Sequence, residues 1–238
     1  MRIGFDLDGV LADLHGAYFR QARALFPGID DSALASPSTG ASPPEEGEGA
    51  ADDDVPGPAS RPALSRHQAS AVWNQLFRTE NFWETLSEIE PGALARLWEL
   101  TQTRGWEIIF LTSRPHAPGR TLQHQTQRWI AAQGFLLPSV FIVPQSRGRI
   151  ADALQLDAVV DDRPEGCLDV VLESKARGIL VWRGDAASVP GSTKRLGIGV
   201  VPSIKVCLDV LVEADQGSDG DGLMGRLRRL LGLKPRTT

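Results

Sequence analysis

The stretch Phe5-Asp6-Leu7-Asp8-Gly9-Val10 closes a short apolar run with two carboxylates one residue apart. At an extended strand end, residues i and i+2 point to the same side, so Asp6 and Asp8 can face one bound group. Two other apolar runs end in polar residues: one in Thr112-Ser113-Arg114, the other in Asp161-Asp162. Carboxylates gathered at one sheet edge repel each other unless a cation sits between them. Hard oxygen donors without histidine or cysteine suit Mg²⁺, which retains waters and binds a substrate phosphate. Asp6, Asp8, Asp161 and Asp162 are therefore the expected metal set. Asp162 would be a direct ligand, and Asp161 a second ligand or an outer acceptor.

The spacing also allows a two-step transfer. One carboxylate, Asp6, would attack phosphorus and form an aspartyl phosphate. Asp8 would protonate the leaving alkoxide and later take a proton from the hydrolytic water. A carbon–halogen substrate releases no alkoxide, so Asp8 would be idle in a dehalogenase; phosphate esters use both acids. Thr112 and Ser113 can donate hydrogen bonds to phosphoryl oxygens without adding charge. A cation is still wanted to balance the equatorial oxygens as the transition state forms. Arg147 and Arg149 are nearest by topology, and Arg149 is preferred because a helix from Ile150 leads into the Asp157–Asp162 strand. The plain alternatives are turn acids at strand ends, Thr112 and Ser113 as helix caps, and arginines on solvated surface. Asp13 reads as a helix N-cap.

Those residues need elements to hold them. Residues 2–8 read as a strand, followed by a helix whose Tyr18, Ala22, Leu25 and Phe26 recur at helical spacing before Pro27-Gly28. Residues 36–62 contain six prolines, four glycines and no aromatic residue. Such a segment buries too little apolar surface to offset its ordering entropy and reads as a disordered acidic insertion. A helix returns with Ala69, Val72, Trp73, Leu76 and Phe77 on one face. Beyond it, helices alternate with strands at 106–113, 139–143, 157–162 and 178–182, giving five strands with the first. One helix is read over Cys167–Gly178 and a last over Ser203–Ala214.

Strands separated by helices imply an α/β fold, a three-layer Rossmann-like parallel sheet. Ligands of such sheets bind beyond the carboxyl ends of the strands. The expected organisation is a core over 1–26 and 103–213, a small helical cap over 27–102 interrupted by the insertion, and a tail over 214–238. In that tail Leu223, Leu227, Leu230 and Leu231 share one helical face, with Arg226, Arg228 and Arg229 elsewhere. A basic amphipathic segment suits a membrane surface or a protein partner, or loose docking on its own domain.

The whole chain of 238 residues is 42% hydrophobic and 23% charged, a globular balance. Its net charge is −5, and residues 36–62, with six acids and one arginine, account for all of it. No basic stripe suited to nucleic acid is seen. No apolar run approaches the roughly 20 residues that span a bilayer, and the N-terminus lacks a signal-peptide pattern. Cys167 and Cys207 read as buried thiols of a cytoplasmic protein, and the four histidines show no zinc-ligand spacing.

FDLDGV, FLTS and VVDD resemble the first, second and fourth motifs of the haloacid dehalogenase superfamily of phosphohydrolases. The resemblance implies a central first strand, Mg²⁺, an aspartate nucleophile and a cap over the site. The third motif of that superfamily normally supplies a lysine, where this chain has only arginines, which are bulkier and permanently charged. FDLDGVLADLHGAYFR, NFWETLSEIEPGALARLWEL, FLTSRP and VVDDRPEG are similar in order and spacing to the 5'(3')-deoxyribonucleotidase family. The likeness covers residues 1–26 and about 80–183 and fails over 27–70 and after Ala214. In that family an aromatic follows the last acid of the first motif and packs on the nucleobase; this chain has Leu14. Phe82 and Trp83 could supply an aromatic wall instead. The expectation is a Mg²⁺-dependent phosphomonoesterase for a nucleoside monophosphate. Its rivals are a phosphatase for another small metabolite such as a sugar phosphate, and a non-catalytic interaction protein.

Overall fold

The computed structural model describes residues 1–29, 64–142, 146–216 and 223–232. The insertion expected over 36–62 lies outside them. The strands are β1 (Arg2–Asp6), β2 (Glu107–Thr112), β3 (Ser139–Ile142), β4 (Ala158–Asp161), β5 (Arg177–Val181) and β6 (Gly199–Val201). All pair in parallel, in the order β3-β2-β1-β4-β5-β6. β1 is central, as expected. Ile3 and Phe5 are fully buried, as are Ala158, Val159 and Val160 of the neighbouring β4. Such unbroken apolar runs are what a sheet covered on both faces requires.

Two expectations are corrected. Five strands were expected and the described residues form six: β6 is only three residues long, too short to show a period, and pairs with β5 at the edge. The helix read over Cys167–Gly178 spans Pro164–Glu173, and Arg177-Gly178 already belong to β5.

The helices are α1 (Leu14–Leu25), α2 (Arg66–Phe77), α3 (Ala93–Arg104), α4 (Leu122–Ala132), α5 (Arg147–Ala153), α6 (Pro164–Glu173), α7 (Gly191–Arg195), α8 (Ile204–Gln216) and α9 (Leu223–Leu230). A short 3₁₀ turn covers Phe82–Glu84. Asp13 caps α1 by accepting from Gly16 N at 2.8 Å, the role expected of it. Ser65 and Gln68 close a reciprocal capping box on α2. α1 and α2 meet through Tyr18 and Trp73, whose ring centroids lie 4.7 Å apart. Phe77, Phe82 and Trp83 extend that aromatic contact to the 3₁₀ turn. α3, within the stretch read as cap, buries Leu94, Leu97 and Leu100 and reaches α8 through Arg96 and Asp209 at 2.6 Å.

The tail helix α9 places Leu227 wholly inside the main core, with Leu230 and Leu231 partly buried against it. Removing one such leucine from water contributes about 1.5–3 kcal/mol. In this structure that part of its apolar face is used within the chain's own fold.

Candidate active site

Pairing register brings the chemistry together. Asp6 lies opposite Leu111 and Phe5 opposite Val160, so β1, β2 and β4 end level with one another. Beyond those ends a cavity of about 80 Å³ is lined by Asp6, Asp8, Thr112, Ser113, Arg147 and Asp162, with Leu14, His15, Trp83, Arg114 and Arg163 also on its wall. Gly9 makes part of this possible: its φ is +84°, a left-handed conformation that suits glycine, and a Cβ there would overlap the Asp162 carboxylate.

Asp6, Asp161 and Asp162 each bring one carboxylate oxygen to within 4.8 Å of the others. Burial raises the Asp6 carboxyl well above its ordinary value, and Arg147 offsets this only in part. Burial, followed by the charge of Asp161, raises Asp162 to about 7. Asp161 Oδ2 is buried without a hydrogen-bond partner among the described residues. Crowded, desolvated carboxylates with an orphan oxygen fit a hard divalent cation.

Asp8 is placed differently from the metal role expected of it. Arg114 holds its carboxylate, Nε donating at 2.8 Å to Oδ2 and Nη2 at 2.8 Å to Oδ1. Thr112 Oγ1 lies 3.3 Å from Asp8 Oδ2. The three-acid group therefore forms without Asp8, whose carboxyl group is held instead by a buried guanidinium.

The two candidate arginines separate cleanly. Arg147 is buried, donates from Nη2 to Asp6 Oδ1, and lies with Nε 3.6 Å from Asp161 Oδ2. Arg149 has 73% of its side chain exposed and faces Glu173 at 3.7 Å. The preference for Arg149 is corrected. Residues two apart on a helix diverge by about 200° around its axis, so only one of the pair can face the site. Ser146 sets the phase by capping α5, accepting from Gly148 N at 3.1 Å. Gly148 lets α5 press on α6, since a Cβ there would overlap the Asp169 carbonyl.

Thr112 is nearly fully buried and engaged with Asp8, whereas Ser113 is exposed on the cavity wall. Neither caps a helix; α4 is capped by Thr121. Trp83 forms part of the wall, its Nε1 donating to the Pro115 carbonyl at 3.1 Å. Phe82 lies behind Trp83, with centroids 4.9 Å apart, and supports it without lining the cavity. His15, Arg114 and Arg163 were not anticipated. Arg114 carried a legible signal, standing directly after Thr112-Ser113 at the end of an apolar run.

A solved structure from Thermotoga maritima, described as that of a candidate β-phosphoglucomutase, matches with a TM-score of 0.50 at 16% identity. The match covers 89% of this chain and 98% of that one. The chain shares that structure's fold, a haloacid dehalogenase-like three-layer α/β arrangement. Human mitochondrial 5'(3')-deoxyribonucleotidase is 27% identical over 165 residues, which are 69% of this chain and 63% of that protein. The chain thus spans less than two thirds of that relative's length. No family model matches. This haloacid dehalogenase-type sheet carries its motif residues where the register predicts, at the carboxyl ends of β1, β2 and β4. No helix among the described residues is long and apolar enough to cross a membrane.

Proposed function

We propose that this chain is a Mg²⁺-dependent phosphoric monoester hydrolase that works through a phosphate covalently held on Asp6. The observation that carries the reading is the surroundings of Asp6, with Arg147 on one oxygen and the carboxylates of Asp161 and Asp162 within 4.8 Å. An acid so placed has little structural use, because burying it costs more than a turn would return. Asp6, Asp161 and Asp162 would hold the metal, which supplies positive charge for the phosphate oxygens.

In the first step an Asp6 oxygen forms a bond to phosphorus as the ester P–O bond breaks. Asp8 gives its proton to the departing alkoxide oxygen. In the second step Asp8 takes a proton from water, whose oxygen attacks phosphorus and breaks the bond to Asp6. Inorganic phosphate leaves, the Asp6 carboxylate is freed and Asp8 again carries its proton. Arg147 and Ser113 stabilise the equatorial oxygens throughout.

Nucleoside monophosphates are the substrate class we assign, on the deoxyribonucleotidase likeness. Leu14 on the same wall favours a second reading, a sugar phosphate, since it offers no ring for stacking. The test is phosphate release from a panel of both ester types, with Mg²⁺ and with chelator. Metal-dependent release is expected, fastest from a nucleoside monophosphate. No release from any ester by folded, Mg²⁺-loaded protein would overturn the enzyme reading in favour of an interaction protein.

A further inference from the structure

Arg114 stands at the wall of the site, yet the reaction above gives it no step. Its guanidinium is enclosed from every direction. Nε and Nη2 grip both Asp8 oxygens. Nη1 donates to Thr126 Oγ1 on α4 at 3.2 Å. The Trp83 and Trp129 rings lie 4.7 and 5.7 Å from its central carbon. Both tryptophans are pinned in turn, Trp83 to the Pro115 carbonyl at 3.1 Å and Trp129 to the Leu86 carbonyl at 2.7 Å. A planar fork held on two edges and covered by aromatic rings has one pose, and the carboxylate it grips must follow.

Stability alone is a poor reason for such a pair. A buried ion pair is commonly no better for folding than apolar side chains of the same volume. Here the pair lies beside the cavity, with Asp8 on its wall and Arg114 wholly withdrawn from solvent. We propose that Arg114 is a positioning residue for proton transfer: the tryptophan-enclosed guanidinium fixes where the Asp8 carboxylate stands relative to the leaving oxygen. The proposal rests on the phosphatase reading. It adds that the 3₁₀ turn and α4, through Trp83 and Thr126, take part in placing the acid.

The step that depends on Asp8 can be isolated. Departure of an alkoxide needs a proton, whereas p-nitrophenolate leaves without one. The value of kcat/KM includes only steps up to leaving-group departure, so hydrolysis of the intermediate does not blur it. The experiment compares kcat/KM for p-nitrophenyl phosphate with that for the best alkyl ester of the panel, in wild type, Arg114→Lys and Thr126→Val. General acid catalysis contributes about 10²–10⁴-fold. Arg114→Lys should lose on the order of 100-fold on the alkyl ester and under about fivefold on the aryl ester. Thr126→Val should shift the ratio in the same direction by roughly two- to fivefold, one neutral hydrogen bond being at stake. Equal losses on both esters, or no loss, would overturn the proposal. If Arg114→Lys does not fold, Thr126→Val decides alone, and an unchanged ratio overturns it. A wild type inactive on both esters would overturn the phosphatase reading and this proposal with it.

Discussion

The two flanks of β1 solve the same electrostatic problem in opposite ways. Toward β4, Asp6, Asp161 and Asp162 crowd together against two cations, Arg147 beside Asp6 and Asp161 and Arg163 near all three, and Asp161 keeps an oxygen without a hydrogen bond. Toward β2, Asp8 is fully matched by Arg114, which is itself enclosed by Trp83, Trp129 and Thr126. One flank is short of positive charge and the other is balanced. The difference separates two tasks that the paired acids left merged: the β4 flank suits binding a metal and a phosphate, and the β2 flank suits moving a proton from a fixed position.

That contrast can be broken at several points. Asp6→Asn should abolish turnover, by about four orders of magnitude or more, as removal of a nucleophile does elsewhere. Arg147→Ala should lower kcat by on the order of 10²–10³, the usual cost of one donor to a charge-bearing oxygen. Steady-state kinetics on the best ester measures both, and a mild effect at Arg147 would dissolve the distinction between the flanks.

Metal should act on stability through the β4 flank. The folded-state values of Asp6 and Asp162 are raised, so between the ordinary carboxylate range and about 7 the folded protein binds more protons than the unfolded chain. Stability of metal-free protein therefore falls as pH rises through that window. A cation replaces the missing protons. Mg²⁺ at roughly 100 times its Kd should raise Tm by about 5–10 °C at pH 8 and much less at pH 5. Thermal melting with Mg²⁺ and with chelator checks this, and an equal shift at both pH values would count against the acid cluster as the metal site. Smallest of all, Arg149→Ala should change kcat by less than about twofold, because the side chain lies in solvent against Glu173.

Much of this arrangement was legible in the chain. Alternating apolar runs and helical periods gave the parallel sheet, and the strand-end acids gave the edge of the sheet where chemistry belongs. β6 escaped because three residues carry no period. The choice between Arg147 and Arg149 turns on helix phase: a start at Ile150 leaves both arginines outside the helix, whereas Ser146 caps it and turns Arg147 inward. Along the chain Arg114 shows only as part of a strand-end triplet, since its partners Asp8, Trp83, Thr126 and Trp129 are scattered along the sequence. Spacing along a strand could show that Asp6 and Asp8 share a side. It could not show that different cations answer them.

The claim on which the account turns is that phosphate passes through Asp6. Wild-type protein turning over its best ester with Mg²⁺ should be quenched in acid, digested and examined by mass spectrometry. A hydroxylamine-labile phosphate is expected on Asp6, absent from Asp6→Asn. Sustained turnover with no phosphate trapped on that residue, and Asp6→Asn still active, would contradict it and point to direct attack by water.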